Sequence, residues 1–182
     1  TNALNELMGN YNFKIYNEPG EAILHDRKFL MLPWICDENK DASMHAITTS
    51  DASYVIAHLE LSGFEMYRGM ICEHGMDSSI FDKFQAVLTG HFHKPSNKNN
   101  IHYLGAPYQM TWGDWADERG YNLLDLDNGA LQFIPNTKEM FHKVVYNDSG
   151  RTFEEVIGLE FDAYKGTFVK IIVEKKTNSY WF

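Results

Sequence analysis

Residues 86–96 read AVLTGHFHKPS and residues 55–63 read VIAHLELSG. Each is a short, continuous apolar run that ends in histidine: 53–57 leads to His58, and 86–88 leads through Thr89 and Gly90 to His91 and His93. Runs of this length without polar alternation suit strands buried on both faces, and in open α/β sheets ligands gather at the carboxyl ends of such strands. The fold class expected is therefore α/β, with the three histidines at one end of two buried strands. The segment Gly90-His91-Phe92-His93 carries the most chemistry. Along an extended backbone residues i and i+2 face the same side, roughly 6.6 to 7 Å apart, so two imidazoles can converge on one metal ion or straddle a pair. Phe92 then points the other way, into the protein. Neutral imidazole is a common ligand for zinc, manganese and iron, and a glycine just ahead of it lets the backbone turn tightly towards the ions. A single histidine beside an apolar strand is more often a hydrogen-bonded structural residue; three at two strand ends favour a metal site.

Working outward, residues 3–8 place apolar side chains at helical spacing ahead of Gly9, which reads as a short helix with a glycine end cap. The apolar runs 13–16, 22–24 and 29–32 are separated by NEPG and HDR, the pattern of a small β-meander ending at Pro33. Residues 37–50 read as loop with one helix. Between the histidine strands, Asp77 or Ser78 can cap a short helix over 78–84, giving a strand, helix, strand order. Strands are expected at 101–104, 121–125 and 130–134, the last two joined across Asn128-Gly129, a strong hairpin signal. The stretch NDSGRT at 147–152 breaks the pattern ahead of a helix-like segment from Phe153 and a strand at 168–173, which places an expected domain boundary near residue 150.

The chain has 182 residues, enough for one domain with a real core or one domain and part of a second. With 44% hydrophobic and 14% aromatic residues it has the means to fold as a globule. No run of eighteen apolar residues occurs, and the opening TNALNELMGN has neither the basic start nor the apolar stretch of a signal peptide, so no membrane partner and a cytoplasmic location are expected. Cys36 and Cys72 form no CxxC pair and are too few for a disulfide framework. The formal charge of −9 counts against electrostatic coating of nucleic acid, because duplex binding rests on Lys and Arg neutralising phosphates. A DNA substrate would have to be held by metal ions or by a partner.

Together the two histidine segments resemble the back half of the calcineurin-like metallophosphoesterase signature, in which one strand leads to a lone histidine and a later strand leads to GHxH. The residues beyond it, IHYLGAPYQMTWGDWADERGYNLLDLD at 101–127, are similar to the stretch after GHxH in the SbcD-type DNA nuclease subunits, most of all the shorter versions of T-even-like phages. The likeness covers about residues 1–150, the C-terminal part of the nuclease domain, with 151–182 as the start of the family's capping domain. It implies part of a four-layer α/β/β/α sandwich lacking its N-terminal portion, and two Mn²⁺ in the complete enzyme. Carried over by position, His58 and His91 would bind one ion and His93 the other. It further implies a DNA exo- and endonuclease subunit acting in recombination and repair with an SbcC-type ABC ATPase, in the host cytoplasm for a phage-encoded chain, and with a homodimer open to it. The family's DxH, GDxxD and GNHD motifs, which bring the bridging aspartate, the asparagine ligand and the histidine that protonates the leaving group, are not found here. Catalytic residues therefore stay unassigned, and the chain alone is expected to be inactive and to hold one ion or none.

Lys94 and Lys98 beside GHFH and Arg119 in ADERG are candidate DNA contacts. A solvated loop for the lysines, and an anchor to Asp114 or Asp117 for the arginine, stand equally open. His74 is read as an exposed loop residue that could also orient a ligand, while Trp34, Trp112 and Trp115 pack in the core or its rim unless they stack on unpaired bases. Two other functions compete: a small-molecule metallophosphodiesterase, since GHxH is shared across the superfamily, and a non-catalytic metal-binding or partner-docking fragment with a bare three-histidine zinc site.

Overall fold

Strand β1 (Gly20–Leu24) and strand β2 (Arg27–Met31) form a hairpin whose turn, His25-Asp26, is left-handed at both positions, with φ of 45° and 61°. That twist matches the strands it joins. The computed structural model describes Tyr11 and residues 13–177, so the helix expected over 3–8 lies outside the described residues. Residues 13–16 take no strand geometry, and β2 pairs in parallel with β3 (Tyr54–His58), so the expected meander stops after one hairpin. Its continuation is a crossover through α1 (Lys40–Thr49), which buries Ser43 and Ile47.

Beyond β3 a small hairpin, β4 (Glu65–Tyr67) and β5 (Met70–Ile71), precedes β6 (Ala86–Gly90), which rejoins the sheet parallel to β3. Between them Asp77 caps one turn of 3₁₀ helix, Ser78–Phe81, by accepting from the Ser79 N–H at 3.0 Å. The helix read over 78–84 is only this one turn; beyond it the Phe81 carbonyl accepts from Phe84 N at 3.1 Å, and Asn100 Nδ2 donates to the carbonyls of Phe81 and Phe84 at 2.9 and 2.8 Å. Strands β7 (Ser96–Lys98) and β8 (Ile101–Tyr103) complete a six-stranded sheet in the order β1-β2-β3-β6-β8-β7, parallel through its middle four strands and antiparallel at both edges.

Alternation along these strands divides the core. Leu30, Val55, Val87, Ile101 and Tyr103 face the side closed by Ile47, Phe64, Phe81, Phe84 and Phe92; Phe29, Tyr54 and Ala86 face the other, where Leu124 and Leu126 pack. Full burial of a side chain such as Val55 or Val87 contributes about 1.5–3 kcal/mol each. These two stand opposite one another, Val55↔Val87, and the same register sets His58 against Gly90. The packing that stabilises the sheet thus brings the two histidine-bearing strand ends together.

Strands β9 (Gly120–Leu124) and β10 (Leu131–Pro135) form the expected hairpin, with Gly129 at φ 76°. The loop is wider than a two-residue turn and is organised by the Asp125 carboxylate, which accepts from Asp127 N and Asn128 Nδ2 at 2.8 and 2.7 Å. Strand β11 (Phe141–Asn147) was not anticipated. It pairs in parallel with β12 (Phe168–Lys175) through a crossover that holds the short helix α2 (Phe153–Ile157), and residue 150 falls within that crossover. The protein is mixed α/β, as expected. Its described residues hold one large sheet beside three two-stranded pairs, so they do not display the four-layer sandwich, and none of their helices is long and apolar enough to cross a membrane.

Candidate metal centre

His58 closes β3 and His91 follows β6, and Gly90 is what lets their rings meet. A Cβ at Gly90 would stand 3.0 Å from His58 Nδ1 and 3.4 Å from its Cε1. With only hydrogen there, the His58 ring lies across the end of β6, 5.3 Å from the His91 ring between centroids and edge-on to it at 82°. The strand ends at Gly90, and His91 takes φ 92°. Residues 91–93 are therefore bent where an extended run was expected. Such a conformation at a non-glycine residue costs on the order of 1–3 kcal/mol and clusters at functional sites. Phe92 points into the core as expected, 5% exposed and stacked on Tyr103 at 4.6 Å.

The loop after His58 is pinned from below. Thr89 Oγ1 accepts from the Leu59 N–H at 3.0 Å, while the buried Tyr103 hydroxyl donates to the Leu59 carbonyl and accepts from the Leu61 N–H, both at 3.0 Å. Burial pushes the Tyr103 phenol well above its usual range. Glu60, held between those contacts, brings a carboxylate oxygen to 3.5 Å from His91 Nε2. For His58, burial first and the neighbouring His91 second push the imidazole pKa down, towards the neutral form that binds metals.

His93 is held by a different loop. Its Nδ1 lies 3.1 Å from Asp114 Oδ1, and Asp114, only 4% exposed, also accepts from Met110 N at 2.7 Å, Thr111 N at 2.8 Å and Arg119 Nη2 at 2.8 Å. Burial raises the pKa of Asp114, but the backbone donors of Thr111 and Met110, the His93 ring and the Arg119 charge outweigh it and hold the carboxyl below the usual range. His58, Glu60, Gly90, His91 and His93 line one open cavity of ≈ 600 Å³, with Met66, Tyr67, Pro107 and Met110 on its walls. All three histidines read from the sequence come to this one cavity.

The donors suit a divalent cation in kind, being imidazoles and one carboxylate. As the side chains stand, no group of three or more His, Cys, Asp or Glu among the described residues is close enough to hold an ion, so they amount to part of a site. Arg119 requires correction as a DNA contact. It is 4% exposed, paired with Asp114 and 3.6 Å from Asp117, and it donates to the His93 carbonyl, so it anchors the loop from inside. Lys94 is ion-paired with Glu65 at 2.5 Å, a contact that holds the Glu65 carboxyl below its usual range, and Lys98 is exposed. Trp112 and Trp115 pack towards the β11–β12 pair, against Phe141 and under Lys143 respectively. Trp34 is nearer the chemistry than the sequence indicated, 5.0 Å from the His91 ring and 5.8 Å from that of His58, and 45% exposed. With the exposed His74 it lines a smaller hollow that shares His58 and Glu60 with the main cavity. Both cysteines are free.

No family model matches the chain. In sequence the chain is a relative of the SbcD-type nuclease subunits, as the GHFH segment and the residues beyond it implied. Exonuclease subunit 1 of Enterobacteria phage T4 is 32% identical over 173 residues, 94% of this chain and 49% of its own length. The SbcD subunit of the SbcCD nuclease of Staphylococcus epidermidis is 28% identical over 100 residues, 50% of this chain and 27% of its own, and that of Staphylococcus saprophyticus 30% over 64 residues, 33% and 17%. The chain spans about half the length of the phage relative.

Proposed function

We propose that this chain is part of a two-metal DNA nuclease subunit that hydrolyses phosphodiester bonds and acts in recombination and repair with an SbcC-type ATPase. The observation that carries the reading is the convergence of His58, His91 and His93 on one cavity at the carboxyl ends of β3 and β6, in a chain related to nuclease subunits. On this reading His58 and His91 hold one Mn²⁺ and His93 the other, the six-stranded sheet is one inner layer of a four-layer sandwich, and residues 151–182 begin a capping domain. A bound metal pair clamps the phosphodiester, lowers the pKa of water and offsets developing charge. The chain's own part is to fix the imidazoles: Gly90 makes room for His58, Tyr103 and Thr89 set the loop that carries Glu60, and Phe92 locks the bend between His91 and His93.

Two close dications repel strongly, and imidazoles bring no charge of their own to offset four positive charges. Among the described residues only Glu60 adds an anion to the cavity lining, so the chain by itself is proposed to bind Mn²⁺ weakly and to leave DNA intact. The overall charge of −9 assigns DNA retention to the ions or to a partner rather than to this surface.

The test compares Mn²⁺-dependent cleavage of linear DNA with that of a nitrophenyl phosphodiester, using the 182-residue chain and the longest product of its reading frame. Any product that holds the complete metal site should prefer DNA and lose on the order of 10²-fold or more of its activity with His91→Ala. Preference for the nitrophenyl ester would make it a small-molecule phosphodiesterase. Robust cleavage by the 182 residues alone, abolished by the same substitution, would show the catalytic set to be complete within them.

A further inference from the structure

We infer that Asp114 is the positioning residue for His93, fixing its ring in the Nδ1–H tautomer so that a bare Nε2 is presented to the cavity, with Arg119 closing a clamp on the same residue's backbone. The inference deepens the metal-site reading above and rests on it only for what Nε2 then binds.

Donors and acceptors decide the tautomer. Asp114 Oδ2 faces two backbone N–H groups, of Met110 and Thr111, at 2.7 and 2.8 Å, and Oδ1 faces the Arg119 guanidinium at 2.8 Å. All three can only donate, so the carboxylate can only accept from them. Among the described residues, the further polar side-chain atom bonded to Oδ1 is His93 Nδ1 at 3.1 Å. A bare Nδ1 there would set a lone pair against a carboxylate oxygen, and a protonated Asp114 would leave the buried Arg119 cation uncompensated, which is strongly unfavourable. Nδ1 must carry the hydrogen, and in the neutral ring the acceptor is then Nε2. Free histidine in water favours the opposite tautomer, with hydrogen on Nε2, so the protein imposes this choice.

The backbone side of the clamp is independent of the ring. The His93 carbonyl accepts from Arg119 Nη1 at 2.5 Å and from Ala106 N at 2.9 Å. Gly105, at φ 74°, lets that loop close on Pro95, where a Cβ would come within 2.7 Å of the proline ring. Ring and carbonyl of His93 are thus tied to one ion pair, Asp114–Arg119, in which each residue is 4% exposed. A carboxylate behind a metal-binding histidine fixes ring orientation and raises its basicity, and losing such a partner typically weakens metal affinity about 10- to 100-fold.

The test is long-range ¹H–¹⁵N correlation of the histidine rings in the 182-residue chain at about pH 8 without metal, where neutral rings report their tautomer. His93 should show Nδ1–H with bare Nε2. Asp114→Ala should move it towards the Nε2–H form and weaken Zn²⁺ affinity about 10- to 100-fold, with Asp114→Glu restoring part of both. Finding Nε2–H at His93 in the unsubstituted chain would overturn the inference whether or not any variant folds, as would an unchanged tautomer in a folded Asp114→Ala. A correct tautomer whose Nε2 signal ignores saturating Zn²⁺ would uphold the clamp and count against the metal reading.

Discussion

Gly90→Ala separates a role in stability from a role in ligand geometry. The added methyl would sit 3.0 Å from His58 Nδ1, and relief to an ordinary 3.4 Å contact requires the ring to retreat by about 0.4 Å, since His58 is the flexible partner in that contact. Metal–nitrogen bonds tolerate about ±0.2 Å, so the shift is roughly twice what a bound ion accepts. Zn²⁺ affinity should fall by about 10- to 100-fold, the range seen when an imidazole loses its support, equivalent to about 1.4–2.7 kcal/mol. Stability should move the other way or not at all. Gly90 has no left-handed φ, so alanine narrows the unfolded ensemble and adds about 0.4–1 kcal/mol, less whatever the His58 contact costs. Isothermal titration with Zn²⁺ and urea denaturation of the same two proteins give both numbers. Unchanged Zn²⁺ affinity in a stably folded Gly90→Ala would refute the reasoning, since the close approach of the two residues would then have no bearing on ligation.

Tyr103→Phe removes a donor to the Leu59 carbonyl and an acceptor from the Leu61 N–H, both buried, and should cost about 1–3 kcal/mol in urea denaturation; a loss below about 0.5 kcal/mol would mean that water replaces the hydroxyl. The imidazoles of His102 and His58 are both held below their ordinary pKa of 6.5 by burial, His58 also by His91. At higher pH both states are uncharged, and as pH falls through 6.5 the unfolded chain takes up protons that the folded one refuses, so thermal stability should decline from about pH 7.5 to pH 5.5. A midpoint that is flat or rising over that window contradicts the assignment. Limited proteolysis should cut first between residues 149 and 166, where Gly150 and Gly166 both take positive φ and no heavy atom lies within 4 Å of an added Cβ, leaving the large sheet intact; first cuts within 86–104 would contradict the placement of the core.

The parts of this architecture that were readable in the sequence are those written in local pattern. The runs 54–57 and 86–88 lack polar alternation because β3 and β6 lie inside the sheet, and Asn128-Gly129 marks its hairpin because Gly129 needs a left-handed φ. What escaped depends on distant partners. Residues 141–147 read FHKVVYN, a mixed run that becomes a strand through its pairing with 168–175. The choice between meander and crossover after β2 is made by where α1 packs. A left-handed φ at His91 was not legible, since histidine is only modestly enriched at such positions and the glycine that signals them more strongly stands one residue earlier, at Gly90. Likewise Arg119 looked equally suited to DNA and to an internal anchor until burial beside Asp114 decided it, and the bond from Asp114 to His93 spans 21 positions with no motif to announce it.

The central claim, that His58, His91 and His93 form a divalent metal site, is tested most directly by diffraction at the zinc edge from crystals of the chain grown with Zn²⁺. The expected result is an anomalous peak in the ≈ 600 Å³ cavity, about 2.0–2.1 Å from imidazole nitrogens of at least two of the three histidines and absent in His91→Ala. A cavity without a peak at saturating Zn²⁺, or a peak that survives His91→Ala unchanged, would contradict it.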